Sequence, residues 1–166
     1  MIKIINNFFD DKLFSDVQNH VTTKLHYFPV FLKGKEKNKE NYYGNRFFLA
    51  NDKSLFDTFV KQAEEKFKIK IKKIGEDSAI DQRNLNHFKP HQDEGAKINV
   101  LVMLKGPTAV TNGTVFYSEN ELDIHIGFRE NRAVLFPSNW VHSQHASNVP
   151  NLRRFTASLF IEDYEE

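Results

Sequence analysis

KINVLVMLKGPTAVTNGTVFYSENELDIHIGFRENRAVLF, residues 97–136, decides the fold. It holds four short apolar runs: KINVLVML (97–104), TVFYS (114–118), LDIHIGF (122–128) and RAVLF (132–136). Turn-forming KGP, TNG and ENE lie between or beside them. Runs this short, rich in β-branched and aromatic residues and punctuated by Gly, Pro and Asn, read as strands. The same texture extends outward to IKIKKI (69–74), SAIDQRNL (78–85), WVHSQHA (140–146) and RRFTASLFIED (153–163). No helical pattern separates these segments, so an α/β fold is excluded. The reading is mainly β, a sandwich or jelly roll with a helical flank.

That flank lies upstream. Residues 10–24 place Leu13, Phe14, Val17 and Val21 on one helical face behind a capping Asp10 or Asp11. Residues 52–68 place Leu55, Phe56, Phe59, Val60, Ala63 and Phe67 on another. KGKEKNKE (33–40) is a charged tract expected in a loop. One domain over 1–166 is expected, with a helical flank and candidate lid loop over 1–68 and a jelly-roll core over 69–163.

The 166 residues include no cysteine, which excludes disulfides, thiolate metal sites and cysteine nucleophiles. Lys and Arg number 23 against 22 Asp and Glu, so no overall charge points to nucleic acid. No leader segment and no run of ~20 apolar residues is read, so a soluble, cytoplasmic protein without a membrane partner is expected. Sixteen Phe predict a core built on aromatics.

Three polar features stand out against this apolar background. His91 and Asp93 precede the strand at 97–104, and in extended chain they share a face. Alone they fit a solvated turn as well as half a metal site. His142 opens a strand after the turn Pro-Ser-Asn, whereas His145 faces the opposite way. His87 would share a face with His91 only in a helix, which Pro90 opposes. Finally, Arg154, Thr156 and Ser158 alternate with Phe155, Ala157 and Leu159. A core-facing guanidinium needs an anion, and its planar fork suits a carboxylate. The same alternation also fits a strand with one wet face.

Two His and one carboxylate with open positions form the facial triad of non-haem Fe(II) oxygenases. In its order His91, Asp93, His142, Arg154, the sequence resembles the Fe(II)- and 2-oxoglutarate-dependent dioxygenase superfamily, in particular its compact prolyl-hydroxylase-like members. His142 follows His91 by 51 positions, and Arg154 follows His142 by 12. KINVLVMLKG, NGTVFY, NRAVLFPSNWVH and RRFTASLF are similar to the family's strands, with Asn112 replacing one Gly and Thr156 the commoner Ser. The likeness spans residues 83–162. The family's Tyr-x-x-Gly before His-x-Asp is missing; Arg83, Asn84 and Asn86 stand there, leaving the C1 carboxylate of the cosubstrate without an assigned contact.

The resemblance implies a double-stranded β-helix, a cupin-like jelly roll. It implies Fe(II) on His91, Asp93 and His142, with 2-oxoglutarate as cosubstrate, its far carboxylate held by Arg154 and Thr156. Dioxygen would be consumed, with ascorbate as reductant, and succinate and CO2 released as a protein or peptide side chain or a small molecule is hydroxylated. Tyr42 and Tyr43, beside the Lys-rich tract, are candidate substrate contacts. The residues alone leave open a cupin-like metal-binding isomerase or binding module indifferent to 2-oxoglutarate, and a β-sandwich without metal.

Overall fold

The computed structural model describes residues 1–31, 42–83, 90–119, 121–145 and 153–166, with only the backbone of Tyr42 and Tyr43. The charged tract 33–40, His87 and the side chains of both tyrosines therefore lie outside the described residues.

The elements run β1 (Lys3–Asn6), α1 (Asp11–Thr23), β2 (Phe28–Phe31), β3 (Tyr42–Phe48), α2 (Lys53–Phe67), β4 (Lys70–Ile74), β5 (Ala79–Arg83), β6 (Ile98–Lys105), β7 (Gly113–Ser118), β8 (Glu121–Gly127), β9 (Arg132–Pro137), β10 (His142–His145) and β11 (Arg154–Glu165). Among the described residues they form an eight-stranded sheet, ordered β1-β9-β6-β11-β5-β3-β2, with β4 beside the second half of β11. A three-stranded sheet, β10-β7-β8, faces it. All pairings are antiparallel. This is a jelly roll with helices flanking its larger sheet.

Both helices begin as the sequence reading expects. Asp10 accepts from Leu13 N at 2.8 Å, and Asp52 accepts from Leu55 N at 3.0 Å. Each carboxylate satisfies an otherwise orphaned amide of the first turn. Val17, Val21, Leu55, Phe59, Ala63 and Phe67 are buried against one face of the large sheet, beside Val100, Val102, Ala157 and Leu159. A smaller apolar cluster, including Leu101, Met103, Phe116, Phe128 and Phe136, fills part of the space between the sheets. The rest of that space is lined mostly by polar side chains.

Residues 1–68 also supply three strands, β1, β2 and β3, that the sequence reading does not anticipate. β1 is only 4 residues long, too short to show a period. β2 carries Pro29, tolerated because β2 is the last strand of the sheet order. β3 reads as polar because Asn45 and Arg46 pair with side chains of β5, not with a lipid-like core.

One residue ties the N-terminal segment to the β-core. Asn131 is buried, with φ 63°. Its side chain accepts from Phe9 N and donates to Phe9 O, both at 2.9 Å. Its carbonyl accepts from Phe8 N, and its amide donates to Met103 O. Asn tolerates the left-handed conformation that most residues resist. Asn131→Ala should therefore lose two buried hydrogen bonds and gain backbone strain. We expect about 2–4 kcal/mol of destabilisation in urea unfolding, with Asn131→Gly recovering only the strain.

Candidate active site

His91 and His142 are neighbours because the backbone makes them so. His91 N donates to His142 O, and His142 N donates to His91 O, each at 2.9 Å. This single antiparallel bridge sets the two rings 4.4 Å apart between centroids. Asp93 is held by its amide on Ser138 O at 2.9 Å. Its carboxylate reaches both imidazoles, with Oδ1 3.6 Å from His91 Nε2 and Oδ2 3.5 Å from His142 Nε2. One ligand atom from each of the three lies within 4.8 Å of the others.

The next layer fixes their orientation. His142 Nδ1 is 2.9 Å from Trp140 O. A carbonyl only accepts, so Nδ1 carries a proton and Nε2 is the ring nitrogen turned toward Asp93. Asn99 Nδ2 donates to Asp93 Oδ2 at 2.8 Å. The His142 ring lies between Phe116 and Phe136, at centroid distances of 5.9 and 4.9 Å. Partners of this kind set the tautomer and aim of metal ligands. His145 points away from the triad, against His125 on β8, with ring centroids 5.0 Å apart.

The triad edges a cavity of about 210 Å³ between the sheets. Its lining takes alternate residues from the large sheet: Asn99 and Leu101 of β6, Arg154, Thr156, Ser158 and Phe160 of β11, Asp81 and Arg83 of β5. Phe155, Ala157 and Leu159 occupy the apolar core on the other face, and Arg153 is exposed. A wider hollow of about 760 Å³ adjoins the cavity and shares Arg46, His91, Asp93 and Phe160 with it.

Arg154 is 3% exposed. Its Nη1 donates to Gly113 O at 2.6 Å and Asn112 Oδ1 at 3.2 Å, and its Nη2 lies 3.4 Å from Thr114 Oγ1. Its Nε has no partner, and no carboxylate pairs with the group among the described residues. Burial, with the charge of Arg83 added, pulls its pKa down to about 9. A guanidinium so placed is destabilised as a cation, and a bound anion relieves that.

A second ionic group is absent from the sequence reading. Asp81 of β5 takes Arg46 in a two-pronged bond, Nε to Oδ1 at 2.8 Å and Nη2 to Oδ2 at 3.1 Å. Arg83 Nη2 donates to Oδ2 at 2.9 Å. The sequence signal was there: Asp81 and Arg83 are two apart in a strand and must share a face. The partner from β3 was hidden because β3 itself was.

No family model matches the sequence, and no curated protein does either. Solved structures do match in fold. HygX from Streptomyces hygroscopicus, with nickel, 2-oxoglutarate and hygromycin B bound, has a TM-score of 0.69 at 9% identity, over 99% of this chain and 82% of that one. A Trichoplax adhaerens prolyl hydroxylase, in complex with a hypoxia inducible factor peptide, has 0.64 at 14%, over 96% and 82%. The α-ketoglutarate-dependent epimerase SnoN of nogalamycin biosynthesis has 0.62 at 12%, over 99% and 77%. The chain thus has the double-stranded β-helix fold of the 2-oxoglutarate-dependent oxygenases.

Burial works to raise the Asp81 pKa, but the charges and hydrogen bonds of Arg83 and Arg46 outweigh it and hold the carboxyl below its usual value. Its contribution to stability is therefore complete above about pH 4, and is lost as pH falls through the lower folded-state value. Asp81→Asn should cost about 2–3 kcal/mol at neutral pH, because the two arginines are left close together with some access to solvent. It should also flatten the acid limb of stability, read by urea unfolding from neutral pH downward.

Proposed function

We propose that the protein is an Fe(II)- and 2-oxoglutarate-dependent oxygenase that hydroxylates a peptide side chain or a small molecule. One observation carries this reading: a His-Asp-His triad and a buried arginine, with no carboxylate paired to it among the described residues, line the same cavity. Imidazole and carboxylate donors suit Fe(II). The donor set alone would also take other divalent ions, so iron rests on the fold and the neighbouring arginine.

In this reading His91, Asp93 and His142 would hold the metal. Bound iron would let dioxygen act as the oxidant, taking two electrons from 2-oxoglutarate, which leaves as succinate and CO2, and two from a substrate C–H bond, with one oxygen atom going to each. Arg154 takes the distal carboxylate through its Nε–Nη2 edge, since Nη1 is already committed to Gly113 and Asn112. Thr156, two residues on and on the same face, offers a hydroxyl to that carboxylate. A cavity of about 210 Å³ is smaller than the roughly 300–1,000 Å³ of drug-sized sites, which suits a compact cosubstrate. The substrate then approaches from the adjoining hollow, where His91 and Asp93 are also accessible.

The test uses protein loaded with Fe(II) under argon and then given oxygen, ascorbate and 2-oxoglutarate. Slow succinate release is expected even without a prime substrate. His91→Ala, Asp93→Ala and His142→Ala should each abolish it, while His145→Ala should retain it. Arg154→Ala should weaken 2-oxoglutarate binding by about thirty-fold or more, Arg154→Lys by less, and Arg153→Ala hardly at all. A metal-loaded protein that neither binds nor converts 2-oxoglutarate would transfer the reading to a cupin-like metal protein.

A further inference from the structure

The mechanism leaves Gln144, a buried polar side chain of the cavity, unused. Gln144 is 7% exposed, and neither its Nε2 nor its Oε1 has a hydrogen-bond partner among the described residues. A buried amide left without bonds is destabilising, and native proteins rarely keep one that serves no ligand. Gln144 sits on β10 two residues beyond His142, and both line the cavity. Across the strand pair it stands opposite Thr114, whose hydroxyl is 3.4 Å from Arg154 Nη2. Directly opposed residues of antiparallel strands hold their Cβ atoms about 5 Å apart. Gln144 is thus placed on the minor sheet, between the metal triad and the spare edge of the guanidinium.

We propose that Gln144 is a cosubstrate-binding residue, its Nε2 donating a hydrogen bond to the same distal carboxylate that Arg154 anchors. The carboxylate would then be gripped from both sheets: by a cation and the Thr156 hydroxyl from β11, and by a neutral amide from β10. This inference rests on the proposed use of 2-oxoglutarate. It also accounts for an amide whose presence the fold does not require. Leucine has nearly the same shape and would bury without penalty.

The measurement is binding to the full-length protein loaded with metal under argon, titrated with 2-oxoglutarate and separately with pyruvate, which keeps the 2-oxoacid but lacks the distal carboxylate. Gln144→Leu should weaken 2-oxoglutarate by about tenfold to a hundredfold, the usual range for a hydrogen bond to a charged group. It should leave pyruvate and metal affinity unchanged. The ligand-free variant should melt at or above the wild-type temperature, because an unsatisfied amide has been removed. Gln144→Glu, which sets a carboxylate against a carboxylate, should lose 2-oxoglutarate more severely than Gln144→Leu. Equal 2-oxoglutarate affinity in wild type and Gln144→Leu overturns the inference, as does a matching loss of pyruvate. If wild-type protein binds metal but not 2-oxoglutarate, the underlying functional reading has failed instead.

Discussion

Arg154 is a cation shut away from water with no carboxylate paired to it among the described residues, and much of the interior is arranged around that fact. The side chain leaves β11 in the large sheet and spends its hydrogen bonds on Asn112, Gly113 and Thr114, at the start of β7 in the small one. It is therefore a cross-link between the two layers as well as a charge. Phe128 lies beneath it, with the guanidinium carbon 5.2 Å from the ring centroid, so one side of the group is already covered. The polar half of the space between the sheets follows from this placement. Apolar residues there would bury the charge without relief, and the core between the sheets is accordingly confined to one small cluster.

At the other end of the cavity the triad is assembled by main chain. A two-way backbone bridge holds His91 against His142, and the Ser138 carbonyl holds Asp93. None of the three depends on a long side chain finding its place. Trp140 O and Asn99 then restrain the side chains of His142 and Asp93. A site prepared in this way loses little conformational entropy when a ligand arrives.

Much of this was legible in the sequence, and what was missed has specific reasons. Short β-branched and aromatic runs between turn residues located the strands of the core, and in 153–163 alternation separated the cavity face from the apolar face residue by residue. The ordering of His91, Asp93 and His142 was readable, but their approach is a property of the bridge between distant segments, which spacing does not encode. β1 and β2 escaped because four residues carry no period, and β3 because its polar side chains answer to β5. Gln144 illustrates a different omission. The rule that gave Arg154 and Thr156 a common face applies equally to His142 and Gln144, but an isolated amide in a strand carries no chemical signature until its surroundings show that nothing satisfies it.

β11 has a consequence for how the molecule comes into being. This 12-residue strand pairs with β6 along one edge and with β5 and β4 along the other, so it stands in the middle of the large sheet while following all of these partners in the chain. A nascent chain on the ribosome that lacks it has two half-sheets with unpaired edges and no Arg154 to join the layers. Sheet closure must wait for translation to pass residue 165, and in that interval the exposed edges of β5 and β6 are open to pairing with other chains. High contact order of this kind slows folding and extends the aggregation-prone interval. Arg154 thus arrives after the strands it joins, and closure of the large sheet and completion of the cavity wall are reached in the same step.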